Sequence, residues 1–314
     1  MKYTILFILL LTGAATAFGQ QEALFSQFTA HKILYNPGYA GSGGSPCVSL
    51  SHRRQWVGLE GAPVTSAFSI HSPVFGRRVG LGLSVINDEI GYYNILTINT
   101  LYAYRMAFDA RSLSIGLQGS YRRYGTDQNA VRTTQGNDPV SENPGGSFSV
   151  FNVGMGAWFE AKRYFIGASV PRLLKKSLNP DEPGTPTDAN GERPHAYLMT
   201  GAVFPLGNNL KIKPAVMARY VNHAPMSFDV HASLGLPANL WIGATYRWGT
   251  HPQSPDLNSA VSAMVQYHFD RFKVGAAYDY ALGKIQNNQA GTFELMVSYC
   301  RENERTGVRN PRFF

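Results

Sequence analysis

Charge is what this sequence has least of. Asp, Glu, Lys and Arg together make up 15% of its 314 residues, against about 25% in an ordinary soluble domain. Cysteine is scarcer still: Cys47 and Cys300 are the only two, which excludes the dense disulfide framework of small secreted domains. Long apolar runs are missing as well. The longest, Tyr3 to Leu11, falls short of the roughly 20 residues that a spanning helix needs, so a helical membrane protein is excluded. The eight histidines show no His-x-His or His-Glu-x-x-His spacing, there is no Cys-x-x-Cys, and no Gly-x-Ser-x-Gly elbow occurs. A metal centre, a cofactor site and a hydrolase triad therefore lack support, and the expectation is a protein that is not an enzyme. The net charge of +8 comes from dispersed basic residues, which argues against a nucleic-acid partner.

What is present begins with MKYTILFILLLTGAATAFG, in which Lys2, an apolar core and small residues at Ala17 and Gly19 have the layout of a signal peptide over residues 1–19. Aromatics follow in quantity, with 17 Tyr and 18 Phe, and so do 32 Gly, a mixture that suits strands facing lipid. The decisive pattern is alternation of period two, which sends every second side chain to one face of a strand. Phe228, Val230, Ala232 and Leu234 oppose Ser227, Asp229, His231 and Ser233; Ile242, Ala244, Tyr246 and Trp248 oppose Gly243, Thr245 and Arg247.

Such segments fall at 46–57, 63–72, 79–87, 94–107, 112–124, 147–161, 164–170, 195–205, 210–221, 226–236, 240–249, 259–269, 271–281 and 291–300, about fourteen in all. Short turns such as Phe108-Asp109-Ala110 and Pro237-Ala238-Asn239 interleave with longer polar loops, the longest at 125–146 and 171–194, expected to be exposed and mobile. That asymmetry marks a transmembrane antiparallel β-barrel, all-β, with short turns on the periplasmic side. A soluble sandwich also alternates, but an open sheet edge inside a bilayer leaves backbone groups unpaired, so the membrane version must close. The expected organisation is a signal peptide at 1–19, a periplasmic or plug segment at 20–45, an outer-membrane barrel at 46–300 and a periplasmic tail at 301–314, with both termini periplasmic. Aromatic clusters at strand ends, including Tyr102/Tyr104, Tyr121/Tyr124, Trp158/Phe159, Tyr246/Trp248 and Tyr278/Tyr280, suit the headgroup level.

The polar strand faces direct Arg105, Arg122, Lys211, Lys213, Arg219, Arg247, Lys273, Asp229 and Asp279 into the lumen. They either attract anions or pair with one another in a solvated interior; the second reading is preferred. Cys47 opens the first strand and Cys300 closes the last, so closure of an even-stranded barrel makes their strands neighbours, and both have inward parity. Whether a disulfide joins them depends on register, since bridging needs Cα atoms within about 7 Å.

Several stretches carry more than a pattern: LFSQFTAHKILYNPGYAGS at 24–42, RRQWVGLEGAPVT at 53–65, VGLGLSVINDEIG at 79–91, YAYR at 102–105, and FELMVSYC before a tail ending NPRFF. In these the chain resembles the PorP/SprF family of the type IX secretion and gliding-motility apparatus of Bacteroidetes. The resemblance spans nearly the whole mature chain, most specifically at its N-terminal motifs. It implies a non-catalytic outer-membrane barrel that supports export and surface attachment of secreted proteins such as adhesins, through contact with their C-terminal targeting domain. It also implies periplasmic type IX partners, including a peptidoglycan-linked protein, besides the outer-membrane lipid. The competing function is a transport pore like a long-chain fatty-acid channel, with a short N-terminal plug.

Within the resembling motifs, plug or partner contacts are expected at Phe25, Gln27, Tyr35, Asn36, Pro37 and Tyr39, with a tight turn at Asn36-Pro37-Gly38. Capping of the barrel mouth by the same residues is the alternative. Arg54, Gln55 and Trp56 at the outer end of strand one are candidates to meet a secreted partner, or form a structural corner. Arg54 has outward parity, which hints at a bulge. The basic tail suits an acidic periplasmic surface.

Overall fold

The computed structural model describes residues 22–126, 147–177, 191–207, 209–222, 224–249, 259–283, 286 and 289–301. The signal peptide, most of the two longest loops and the tail beyond Arg301 lie outside the described residues.

Alternation over so many segments gives each strand one apolar face and two edges needing partners, and the chain resolves this by closing one antiparallel sheet into a 14-strand barrel. The strands are β1 (Cys47–Arg54), β2 (Val64–Val74), β3 (Val79–Ile90), β4 (Tyr93–Phe108), β5 (Arg111–Thr126), β6 (Phe148–Glu160) and β7 (Tyr164–Val170), followed by β8 (His195–Ala202), β9 (Leu210–Val221), β10 (Ser227–Gly235), β11 (Leu240–Gly249), β12 (Ala260–Phe269), β13 (Phe272–Ala281) and β14 (Thr292–Cys300). Each pairs with its sequence neighbours. Closure comes from β1 pairing with β14, and the β8–β9 pairing completes the ring across the middle of the chain. Among the described residues every barrel strand is paired on both edges, as a bilayer requires. No described helix is long and apolar enough to cross a membrane.

We refer to the rim holding Cys47 and Cys300 as the terminal rim and to the opposite one as the loop rim. Connections at the terminal rim are tight. Asp109, Ala238, Asn239 and Asp270 adopt left-handed φ values of 50°, 63°, 60° and 50° in its turns. Expected and observed strands agree to within a few residues, with two physical exceptions. β1 stops at Arg54 and not at 57, because Trp56 takes φ 43° and the chain turns away, Gln55 N donating to Pro63 O at 2.9 Å. The expected strand at 195–205 breaks at Val203, after which Phe204–Leu206 pairs separately with the start of β9.

The bulge suspected at Arg54 is absent. Register runs unbroken from Cys47↔His71 to Arg54↔Val64 on one side and to Phe293 on the other. Arg54 therefore faces outward and its neighbour Arg53 inward. Outward positions around the barrel are apolar and exposed, as with Leu50, Leu81, Ile115, Phe151, Leu198, Val265 and Leu295, the face that lipid covers. Trp158 departs from the expected headgroup position. It follows the parity of Gly156 and Gly154 into the lumen, where it is buried and stacks on Phe165 at 4.9 Å. Two consecutive strand residues cannot share a face, so only Phe159 of that pair points out.

Residues 22–46 have no strand periodicity and form no strand. They run through the lumen as a plug made of the short helix α1 (Lys32–Tyr35) and 3₁₀ turns at Pro37–Tyr39 and Ser42–Gly44. Glu22 lies among Arg122, Arg172 and His195 near the loop rim, whereas Arg301 N donates to Pro46 O at the terminal rim. The first and last described stretches sit at opposite ends of the barrel, because the plug traverses the lumen.

Candidate functional site

The plug and its seat form the one elaborated interior of the described molecule. At its loop-rim end, backbone N–H groups that have left regular structure need acceptors, and a buried carboxylate on β14 supplies them. Glu294 accepts from Ser26 N at 2.6 Å and from Gln27 N at 3.1 Å. Its own charge is balanced by Arg53 of β1 at 3.3 Å. Arg53 also reaches Asp279 at 2.8 Å and touches Ser26 Oγ, which itself donates to Asp279 at 2.6 Å. His31 closes the group 3.7 Å from Glu294. Arg53 and Glu294 are almost fully buried, so removing Arg53 leaves two carboxylates without their shared guanidinium in a site of low dielectric.

A second group pairs Asp229 with Arg219 at 2.8 Å and Arg247 at 2.9 Å, and Arg247 donates to Phe25 O at 3.4 Å. A third, near the loop rim, joins Glu22, Arg122, Arg172 and Glu192, with Arg122 at 3.0 Å and Arg172 at 3.2 Å from Glu192. The nine lumen residues expected from parity all lie on inward strand positions. Sequence reasoning overlooked Arg53, Glu160 and Glu294, although alternation within β1, β6 and β14 carried the signal.

Between these groups the plug packs by shape. Phe25, Phe28 and Tyr35 join Trp158, Phe165, Tyr197, Met199 and Met217 in one buried cluster. Lys32 is buried with its ammonium 5.3 Å over the Tyr39 ring and 5.2 Å over Phe165. Burial holds its pKa well below the usual lysine range; Lys213 and Lys273 add repulsion, and Glu160 opposes the shift. Burial also pushes the Tyr35 phenol up to about 12.

Toward the terminal rim the plug backbone lies directly on the wall. Asn36 Oδ1 accepts from Gly38 N at 2.8 Å, making the tight turn, while Asn36 Nδ2 donates to the carbonyls of Ala157 and Ala168 at 3.0 and 3.2 Å. Gly116 of β5 permits this approach, since a Cβ there would collide with Pro37 and Gly38; Gly80 of β3 does the same beneath Ala40 and Gly41. Arg105 donates to Gly41 O and pairs with Glu160 at 3.1 Å. Just beyond, Cys47 and Cys300 stand opposite in register with Cα atoms 4.1 Å apart, their sulfurs joined as a disulfide.

The structure thus gathers Phe25, Gln27, Tyr35, Asn36, Pro37 and Tyr39 into the lumen, where the first five are buried and Tyr39 partly so. Arg54, Gln55 and Trp56 lie apart from them at the loop rim. That corner is braced, with Trp56 N donating to Thr292 Oγ1 at 3.2 Å, Val57 N to Gly291 O at 2.9 Å and Gly91 N to Gly61 O at 2.9 Å. Among the described residues no group of His, Cys, Asp and Glu side chains is arranged to hold a metal ion.

A closed antiparallel barrel, apolar outside and carrying its own N-terminal segment in the lumen, is an outer-membrane barrel with an internal plug. Solved structures share this fold. The toluene transporter TbuX of Ralstonia pickettii is 11% identical, over 91% of this chain and 96% of that one, with a TM-score of 0.54. The monoaromatic hydrocarbon channel CymD is also 11% identical, over 91% and 95%, with a TM-score of 0.53. At such identity the likeness extends to the fold alone. No curated protein matches the sequence. The family is decided by the sequence model for type IX secretion system membrane protein PorP/SprF, which matches residues 17–299, and the chain belongs to that family. It is an outer-membrane protein with a role in type IX secretion, a family and fold of no known enzyme class.

Proposed function

We propose that this barrel acts by protein contacts, as an accessory that supports the export and surface attachment of particular secreted proteins such as adhesins. The observation that carries the reading is the occupied lumen. A plug whose backbone is hydrogen-bonded to Glu294 and to Asp229-paired Arg247, and whose Asn36 side chain donates to carbonyls of β6 and β7, leaves the barrel its rims and outer wall to act with. Short turns at the terminal rim support placing that rim in the periplasm, where peptidoglycan-linked and other type IX components are the partners. The loop rim then faces outward, with the braced corner at Arg54, Gln55 and Trp56 available to a secreted partner's C-terminal targeting domain. The buried plug residues act by shaping and closing the barrel, and the Cys47–Cys300 bridge by holding its seam.

The competing reading, a transport pore, draws on the channel-like fold of TbuX and CymD, but requires the plug to leave its charged anchors. The test is purification of the tagged protein from its own outer membrane in mild detergent, followed by mass spectrometry. The proposal expects secretion-system components or one large surface protein to accompany it. A lone barrel in a preparation that preserves other membrane complexes overturns it.

A further inference from the structure

The plug begins at one rim and ends at the other. Glu22, with a side chain 17% exposed, contacts Arg122 at 3.5 Å, Arg172 and His195. Arg122 lies in the loop-rim part of β5, Arg172 follows β7 and His195 opens β8, so all three belong to the loop rim. From there the chain passes Glu294 at Ser26 and Gln27, the Asn36 turn against β6 and β7, and Gly80 at Ala40, before entering β1 at the terminal rim. The plug folds back once on the way, where Phe25 N donates to the Tyr35 hydroxyl at 3.2 Å, but its described start lies at the loop rim and its end at the terminal rim.

We infer that the amino end of the mature chain is presented on the loop face of the barrel, opposite the carboxy-terminal end of β14 at Cys300. The expected cleavage near Gln20 leaves only a residue or two before Glu22, too short a stretch to return through a lumen that the plug itself fills. The amino end and the carboxy-terminal end of β14 are thereby assigned to different compartments. In the orientation proposed above, the amino end stands outside the cell on the same face as the Arg54–Trp56 corner and adds its own groups to the surface that a secreted partner meets. The carboxy-terminal end of β14 stands in the periplasm. Anchorage at both ends follows too: the Glu22 arginine group holds the plug at the loop rim, and the covalent step into β1 holds it at the terminal rim.

Single cysteines test this in intact cells with a membrane-impermeant maleimide, on the full-length protein. Gln21→Cys reports the amino end, Glu60→Cys the loop rim and Lys162→Cys the terminal rim; Glu60 and Lys162 are exposed. Gln21→Cys is expected to label together with Glu60→Cys, while Lys162→Cys labels only in lysed cells. Labelling of Gln21→Cys together with Lys162→Cys, and apart from Glu60→Cys, overturns the inference. If Lys162→Cys labels in intact cells and both others only after lysis, the shared face stands and the proposed orientation fails. Heat-modifiable migration of each variant on gels shows that its barrel has formed, and a short epitope inserted between Gln21 and Glu22 gives an independent reading of the same face.

Discussion

The plug is held in two different ways along its length. At Ser26 and Gln27 it hangs on buried charge, with Glu294 accepting two backbone N–H groups while Arg53 and Asp279 balance one another beside it. At Asn36 to Gly41 it is held mainly by fit, a backbone laid on Gly116 and Gly80 with neutral hydrogen bonds from Asn36 to wall carbonyls and one charged bond from Arg105 to Gly41 O. The difference teaches where each half is vulnerable. A charged clasp fails when one member is removed, because the remainder stays buried and unpaired. A fitted groove fails when something is added, because neither side is flexible enough to give way.

Substitutions can break that comparison at either end. The largest effect is expected from Gly116→Leu, whose side chain would occupy the space of Pro37 and Gly38. The plug should lose its seat, and protease added to purified barrel should then cut within residues 22–46, a segment expected to resist cleavage in the wild type. Next comes Glu294→Ala, expected to cost about 3–5 kcal/mol in denaturant unfolding, because Ser26 N and Gln27 N lose their acceptor and Arg53 loses one of its two buried carboxylates. Asn36→Ala removes neutral bonds only and should cost about 1–2 kcal/mol in the same assay. If Asn36→Ala proves more damaging than Glu294→Ala, the assignment of charge to the loop-rim end and fit to the terminal-rim end is reversed.

The smallest effect sharpens the boundary between the halves, where Lys32 lies. Folding depresses the Lys32 pKa below its ordinary 10.5, so the unfolded chain binds a proton that the folded one sheds. This group therefore makes stability rise with pH up to about 10.5 and withdraws it as the pH falls through the folded value. Lys32→Met should flatten that slope and raise stability on the acidic side, read from unfolding midpoints measured across pH. An unchanged pH dependence of unfolding would mean that another group sets the slope.

The barrel was legible because its physics is local. Alternation in β9 to β14 can be read from adjacent residues, and lipid on one side with a lumen on the other imposes it without interruption. Reading the same rule strictly would also have turned Arg53 and Glu294 inward and kept Trp158 off the membrane surface. The resembling motifs drew attention to Arg54 instead, one position away and on the opposite face. The plug's path was not legible. Residues 22–46 have no period, and their partners are remote in sequence: Asn36 meets Ala157, 121 positions away, and Ser26 meets Glu294, 268 positions away. Glycines such as Gly116 look like ordinary strand glycines until the backbone they accommodate is in place. For the same reason the nine lumen residues could be directed inward from sequence, while their pairing into separate groups around Asp229, Glu160 and Glu192 could not.

A lumen closed by its own chain is what separates an accessory barrel from a transport pore. Single-channel recording of the purified wild-type barrel in planar bilayers tests that directly. A protein that works through its rims and wall should insert without producing conductance steps. Stable, reproducible steps from the intact protein would contradict a closed lumen and restore the transport pore.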